Sequence, residues 1–483
     1  MKLLGLRICD HDSNFTYFDG QKIHYLKTER KYQIKHHGVN DLYLWEDIIK
    51  EEWNVTSKDL DEIAIVFDPW HYGLSVREDD FFPAIDYKDF PAHCPVTRVN
   101  HHYAHHLSCW PLLDNPHKYN GFAIDGWGDW DKVWTVFKNH SIEELGSLSK
   151  YGSIGNEYAL ISNHFDISAS NIHDLAGKVM GMQSYGEIDY DFLEFLQKFD
   201  ITDIKNIFDV HYYYGVKQHK LNWLRTIHEH VGNILLNFLS KKFMPEEVFC
   251  YTGGVALNVC WNTKLRNKFK NIVIPPHASD EGLSLGAIEY LRMKHNLPMF
   301  KINNFPFCQS DEEPIDYPDK KTNIKVAELL RGQKIVAWYQ GKGEIGPRAL
   351  GNRSILADPR DKDMKDKVNK IKKREQYRPF GCSTINKSFE ESYYMLYTQY
   401  IDENKYPSIC HIDKTCRHHT ARNNKILEDL MIEYQTISNN DVLLNTSLNV
   451  NGKPLVSNFN DCFNFFQNQP IDAFVFGNKL YIK

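Results

Sequence analysis

"QGKGEIGPRALGNRSILADPRD" (residues 340–361) sets Gly341, Gly343, Gly346 and Gly351 around Lys342, Arg348, Arg353 and Arg360. Glycine lets main-chain amides come close to a ligand. A guanidinium grips phosphate or carboxylate in a fixed fork. Surface ion pairing explains any one of these arginines, but not so many beside glycines in apolar surroundings. The stretch therefore reads as an anion site, and it follows a strand at "KIVAWYQ" (334–340). Downstream, "REQYRPFGCS" adds Arg374 and Arg378, and "HIDKTCRHHT" adds Arg417. "NTSLNVNGKPLV" (445–456) packs Asn445, Thr446, Ser447 and Asn449 ahead of a turn at Asn451 and Gly452. These short polar side chains read equally as turn formers or as contacts to the sugar and phosphates of a nucleotide. "DKDMKDKVNKIKKRE" (361–375) reads as a charged helix with a solvated face.

Towards the N-terminus the composition shifts around residues 296–322, which are rich in Pro, Asp and Lys. This divides the chain into a domain over 1–305, a linker over 306–322 and a second domain over 323–483. The chain has 483 residues, 42% hydrophobic and 25% charged, too long for one core. Strands alternate with helices, so the class is mixed α/β, with no internal repeat in the sequence. The opening predicts a hairpin around Asp19–Gly20, and "EIAIVF" (62–67) a strand. Residues 222–240 carry helical periodicity. "EVFCYTGGVALNVCWNTKLR" predicts strand, glycine pair and helix, a junction whose amides can hold a phosphate or nucleotide. The net charge of −6 argues against polymeric nucleic acid as the main partner. Ten scattered cysteines without a CxxC pair point to reduced thiols. Arg7 and Asp10 come too early for a signal-peptide core, and no run reaches membrane-span length. The expectation is a soluble, cytoplasmic protein.

"RVNHHYAHHLSCW" (98–110) offers two equivalent helical pairs, His101 with His105 and His102 with His106. Either pair projects from one helix face at a spacing that can share a metal, and either also suits an ordinary His-rich helix. "IDGWGD" places Asp125 at a strand end before Gly126 and Gly128, "AGKVMGMQSYG" places Lys178 after a glycine, and "PHASDEGLSLGAI" places Asp280 before a helix. An N-cap is the default role for Asp280, and a third metal ligand the sharper one.

In order along the chain, these stretches resemble the NodU/CmcH-type O-carbamoyltransferases. The matching pieces are His11-Asp12, "ER…IK" (29–35), "NHHYAH", "DGWGD", "GKVMGMQSYG", "TGGVALN", "DEGLSLGA", "GPRALGNRSILADPR", "RPFG", "HIDKT.R" and "NTSLN..GKPLV". The resemblance implies an N-terminal actin-like (ASKHA) ATPase-type domain and a C-terminal YrdC-like α/β domain. It implies that carbamoyl phosphate and ATP become carbamoyl adenylate with release of pyrophosphate, and that a hydroxyl of a small acceptor then displaces AMP. It also implies a divalent metal, Fe2+ foremost with Zn2+ or Mn2+ open, on His101, His105 and Asp280, with Asp125 joining directly or through water; Mg2+ accompanies ATP. His11 or Asp12 would take the hydroxyl proton, with Lys178 a third catalytic candidate. Gly126, Gly128, Gly253, Gly254 and Asn258 would sit by the adenylate. Lys342, Arg348, Arg353, Arg378, His411, Arg417, Asn445, Ser447 and Asn449 would hold carbamoyl phosphate and ATP. The acceptor is a sugar, a natural product or a hydroxymethylated nucleotide. Transfer to a nucleoside base or tRNA, and a nucleotide-binding module without turnover, are the alternatives. A homodimer is compatible with this reading. The chain departs from the family pattern at Ala176-Gly177 before Lys178, at Lys414 where Gly is expected, at His419 where Gln is, and at Gly381 where Ala is common.

Overall fold

One strand plan occurs twice in the first of the two units into which the chain divides. The computed structural model describes residues 1–74, 83–208 and 217–483. Unit 1 comprises Met1–Tyr32, His36–Val179 and Gly186–Phe305, and unit 2 comprises Gln33–Lys35, Met180–Tyr185 and Pro306–Lys483. In unit 1, β1 (Leu3–Arg7), β2 (Asn14–Phe18) and β3 (Ile23–Lys27) form an antiparallel meander. The β2–β3 turn lies at Asp19–Gly20, where Gly20 takes φ +99°. β4 (Glu62–Val66) lies parallel to β1, and β6 (Val96–Val99) parallel to β4. A short edge strand, β5 (Ala84–Asp86), runs antiparallel to β6.

The second sheet repeats this. β7 (Asn120–Ile124), β8 (Lys132–Lys138) and β9 (Ser141–Ser147) make a meander, and β10 (Phe249–Thr252) and β11 (Ile272–Val273) add in parallel on the other side of β7. The order β9-β8-β7-β10-β11 matches β3-β2-β1-β4-β6 strand for strand. This is the duplicated plan of an actin-like domain. No repeat shows in the sequence because different residues satisfy the same pattern. "LLGLR" and "EIAIV" are buried throughout, as expected of central parallel strands covered on both faces.

Helix Leu283–Lys294 packs on β1 and on helix His101–Leu107 at backbone distance. A Cβ on Gly5 would stand 2.3 Å from the Ser284 carbonyl oxygen, and one on Gly286 only 1.9 Å from that of Ala104.

Unit 2 contains β12 (Phe307–Gln309), β13 (Val336–Tyr339), β14 (Gly343–Glu344), β15 (Arg353–Ala357), β16 (Gly381–Thr384), β17 (Thr398–Tyr400), β18 (Thr415–Thr420), β19 (Val442–Ser447), β20 (Ala473–Phe476) and β21 (Lys479–Ile482). β12 pairs with β14, and the rest form one mixed sheet in the order β17-β18-β16-β19-β15-β13-β20-β21. Residues 306–322, read from composition as a linker, belong to this unit. Phe307, Cys308 and Gln309 are buried in a strand, and Asp311 is buried against Arg353 at 3.4 Å. Acidic and Pro-rich composition concealed a folded segment because one of its carboxylates has a buried guanidinium as partner.

Replacing Gly286 by Ala forces the two helices apart. Overpacking of this kind costs about 1–3 kcal/mol or more, so G286A should unfold at distinctly lower denaturant than wild type. An exposed control, K320A, should not.

Candidate active site

Helix His101–Leu107 starts at Asn100, whose side chain accepts the Tyr103 amide, and all seven of its residues are buried. His101 and His105 point at two carboxylates. His105 Nε2 lies 2.9 Å from Asp125 Oδ2 and 3.4 Å from Asp280 Oδ1, and His101 Nε2 lies 3.7 and 3.4 Å from the same two atoms. Asp125 follows β7 directly, and its other oxygen accepts the Gly126 amide at 2.6 Å. Asp280 opens the turn Asp280–Gly282, and no side chain caps the helix that follows. Its Oδ2 instead meets Arg7 Nη2 at 2.8 Å.

One ligand atom from each of these four residues lies within 4.8 Å of the others. Among the described residues, His101 Nε2 is buried without a hydrogen-bond partner. Two imidazoles and two carboxylates form a donor set shared by Fe2+, Zn2+ and Mn2+, so the residues fit a divalent metal. Burial opposes charging His101, yet Asp280 and Asp125 carry it up to about 9. Burial would raise Asp280, but His101 and then Arg7 hold it well below the ordinary carboxylate range.

The other histidine pair takes no part. His102 Nδ1 meets Thr135 Oγ1 at 2.8 Å. His106 Nε2 lies 3.0 Å from His140 Nδ1, and its ring stacks on Phe137 at 4.4 Å.

The His11-Asp12 pair lies in a second polar group of unit 1, joined to the first through Asn14. Asn14 Nδ2 donates to the carbonyls of Asp12 at 2.7 Å and Asp280 at 2.9 Å. Asp12, at φ +49°, meets His36 Nδ1 at 2.9 Å, Lys27 Nζ at 3.2 Å and His11 Nδ1 at 3.4 Å. Burial would raise its pKa, but Lys27, His11 and His36 hold it well below the carboxylate range. Asp12, Glu29 and His36 also have metal-like spacing. The Lys27 ammonium, 3.5 Å from Glu29 and 2.6 Å from Glu281, occupies that position instead. The His173 ring lies tilted against that of His11, 4.0 Å between centres, and Asp174 Oδ1 lies 3.5 Å from His36 Nε2.

Several expected ligands have structural work. Lys178 Nζ donates to the Ser168 carbonyl at 2.5 Å. Asn258 Oδ1 caps helix Val259–Lys268, accepting the amides of Cys260 and Trp261. Gly253, at φ +91°, donates to the Ala278 carbonyl. Gly254 lies against Asp125, Gly126 against Asn156, and Gly128 against His102, each too close for a Cβ.

In unit 2, Arg353 is wholly buried. It stacks on Tyr339, pairs with Asp311, and donates to the carbonyls of Gln340, Gly341 and Asn352. Its guanidinium is thus engaged within the fold itself. The glycine-rich loop itself is gathered by Glu344 Oε1, which accepts the amides of Leu350, Asn352 and Arg353. Lys342 is exposed and Arg348 half-buried on that loop. Asn445 Nδ2 donates to Ser383 Oγ and the Ala349 carbonyl, and His411 Nε2 lies 3.1 Å from the Tyr377 carbonyl oxygen.

Arg378 and Arg417 come together with Arg374 and with Lys372, the buried end of the helix read as a solvated face. Burial and then Arg378 and Arg417 push the Arg374 pKa well down; burial and then Arg374, Arg378 and Lys35 do the same to Lys372. Lys372 Nζ donates to Ser447 Oγ at 2.8 Å and to Asn449 Oδ1, joining two of the expected ligands to the cations. The signal for Lys372 lay in the run "KIKKRE", which helical spacing alone assigns to solvent.

The departures from the family pattern have local causes. Lys414 takes φ +62°, the left-handed backbone that glycine adopts freely, and its exposed ammonium faces Glu403. A Cβ on Gly381 would meet Met395 Sδ at 2.8 Å. His419 bridges Ser383 Oγ and Asn423 Oδ1, each at 3.0 Å, as a side-chain amide can. Burial takes its pKa down to about 4.

Unit 1 thus holds a buried imidazole–carboxylate cluster on a duplicated α/β plan, and unit 2 a group of neighbouring cations around Lys372 and Arg374. The chain belongs to the carbamoyltransferase family: residues 84–288 match the carbamoyltransferase N-terminus and residues 327–483 the carbamoyltransferase C-terminus. It is 27% identical over 438 residues to nodulation protein NolO of Bradyrhizobium diazoefficiens, covering 80% of this chain and 79% of that protein. It is 31% identical over 262 residues to 3'-hydroxymethylcephem-O-carbamoyltransferase of Amycolatopsis lactamdurans, covering 50% of each. Among solved structures, the activator of 2-hydroxyisocaproyl-CoA dehydratase from Clostridium difficile aligns over 62% of this chain and 100% of its own. That match has 12% identity and a TM-score of 0.37. No helix among the described residues is long and apolar enough to cross a membrane.

Two outcomes check these assignments. His105→Ala and Asp280→Asn should each weaken divalent-metal binding about 10²-fold or more, since even supporting residues are worth 10–100-fold. His106→Phe should bind metal normally, as read by metal content after gel filtration. His419 has its pKa lowered from 6.5 to about 4 by burial, so its neutral form is favoured in the fold. Its contribution is intact above pH 6.5 and lost as pH falls towards 4, at up to about 1.4 kcal/mol per pH unit. His419→Gln should flatten that part of the stability–pH curve measured by chemical unfolding.

Proposed function

We propose that this carbamoyltransferase is an ATP-dependent O-carbamoyltransferase working through carbamoyl adenylate. The observation that carries the reading is the cation nest of Lys372, Arg374, Arg378 and Arg417 in unit 2. Burial and neighbouring cations disfavour the charged forms of Lys372 and Arg374, and an arriving anion would relieve both. Carbamoyl phosphate and ATP, with Mg2+, supply that anion. Ser447 and Asn449, already bonded to Lys372, hold the ammonium towards it. Lys342 and Arg348 on the loop organised by Glu344 are further contacts.

The chemistry requires activation because nitrogen donates into the carbamoyl carbonyl and makes it a poor electrophile. Water takes carbamoyl phosphate to carbamate and inorganic phosphate. Carbamate oxygen then attacks the α-phosphorus of ATP, and pyrophosphate leaves. In the second half-reaction an acceptor hydroxyl attacks the carbamoyl carbon and AMP leaves. We assign that step to unit 1, where Gly254 lies against Asp125 at the end of β7; the amides of Gly126, Gly128 and Gly253 are already given to Asp125, Lys132 and Ala278. A divalent metal on His101, His105, Asp125 and Asp280, Fe2+ foremost, would polarise the carbonyl or hold the adenylate phosphate. Arg7 keeps Asp280 ionised for that purpose. The acceptor is a small molecule bearing a hydroxyl: a sugar, a natural product or a hydroxymethylated nucleotide. Ten cysteines outside any disulfide support a reducing compartment, the cytoplasm.

Purified, metal-loaded protein should release pyrophosphate from ATP only when carbamoyl phosphate is present. No such release means that the reading fails. Arg374→Ala should lower the first-turnover pyrophosphate burst on the order of 10²-fold. His101→Ala should keep the burst and lose AMP release.

A further inference from the structure

Resting on the carbamoyl-adenylate reading above, the open chemical question in unit 1 is which group accepts the hydroxyl proton. Asp12 is poorly suited. It already contacts Lys27, His36 and His11, and Lys27 with the two imidazoles stabilises its charge, so its affinity for a proton is low. His36 is placed differently. Its main-chain amide donates to Glu29 Oε2 at 2.8 Å, and its Nδ1 lies 2.9 Å from Asp12 Oδ2. A carboxylate on Nδ1 fixes the tautomer that has its lone pair on Nε2, and it stabilises the imidazolium once formed. Nε2 faces Asp174 Oδ1 at 3.5 Å, on the long side of a hydrogen bond. The Asp174 side chain is 31% exposed, against 10% for His36. Asn14 ties this group to the metal-competent one by bonding both the Asp12 and Asp280 carbonyls.

We propose that His36, oriented by Asp12, takes the proton from the attacking hydroxyl, and that Asp174 passes that proton to solvent. The hydroxyl oxygen forms its bond to the carbamoyl carbon, and the bond from that carbon to the adenylate phosphate oxygen breaks. AMP leaves with the electron pair, and the proton goes to His36 Nε2 and then by way of Asp174 to water. His11 and His173 flank the path, with the His173 ring centre 4.0 Å from that of His11 and 5.4 Å from that of His36. The groups facing His36 are therefore Asp12 with Lys27 behind it, Glu29, Asp174, His173 and, through His173, His11. The pairing escapes sequence reading because its three members lie on β2's approach, the loop after β3 and a turn near residue 174.

The test uses the full chain with ATP, carbamoyl phosphate and glycerol as a simple hydroxyl probe. The first-turnover pyrophosphate burst and the release of AMP are followed against pH. Wild-type AMP release should rise through one imidazole titration and level off. His36→Gln, whose amide can still donate to Asp12, should lower the plateau by roughly 10²-fold or more and erase the rise. Asp174→Asn removes a negative charge from beside the imidazolium and should move the rise to lower pH. Both variants should keep the pyrophosphate burst and the wild-type melting temperature. A rise that persists in His36→Gln, or that does not move in Asp174→Asn, overturns the proposal while leaving the adenylate reading standing. A wild-type protein with no carbamoyl-phosphate-dependent burst overturns that reading, and this proposal falls with it.

Discussion

The close approach of helix Leu283–Lys294 to β1 and to helix His101–Leu107 is the constraint on which the unit 1 site depends. Glycine at 5 and 286 is required because carbonyl oxygens of Ser284 and Ala104 occupy the space of a side chain. That packing fixes three things at once. β1 ends at Arg7, the turn before helix Leu283–Lys294 carries Asp280, and the facing helix carries His101 and His105. Asp125 arrives separately, at the end of β7. A donor set assembled this way stands on rigid elements, which hold catalytic groups more precisely than loops do.

Unit 2 follows the opposite electrostatic logic. In the unit 1 cluster each charge has an opposite neighbour: Arg7 for Asp280, and imidazoles for both carboxylates. In the nest around Arg374 the neighbours that matter most are other cations. Burial and repulsion act together there, so the nest gains most when an anion arrives. A ligand that binds only the folded state also stabilises it by linkage. On the proposed reading, the metal-assisted step falls to unit 1 and the polyphosphate substrate to unit 2.

The strands and the helical segments were legible in the sequence, since strand alternation and the Asp19–Gly20 turn report local geometry directly. So were His101, His105, Asp125 and Asp280 as a set, once the ordered motifs singled out one of the two equivalent histidine pairs. What could not be read was commitment. Arg353 looks like every other arginine of its stretch, but Asp311, in a segment whose composition resembles a linker, turns it into a core residue. Asn258 and Lys178 likewise spend their polar atoms on a helix end and a loop carbonyl. Lys372 was hidden for the converse reason: a lysine in a charged helix is usually solvated, and only the sheet beneath it makes this one buried.

The two polar groups of unit 1, one proposed to hold a metal and the other to handle a proton, differ little in composition. Both combine carboxylates with imidazole at metal-like spacing. In one, the nearest fixed cation is Arg7, which bonds the outer oxygen of Asp280 and leaves the inner one facing the histidines. In the other, Lys27 stands among Asp12, Glu29 and Glu281 and supplies the positive charge a metal would bring. An ammonium cannot polarise a carbonyl as a metal does, but it keeps Asp12 ionised without taking its place at His36. The carboxylate is then available to orient an imidazole rather than to hold an ion, and the fold gains two different chemical tools from nearly the same residues.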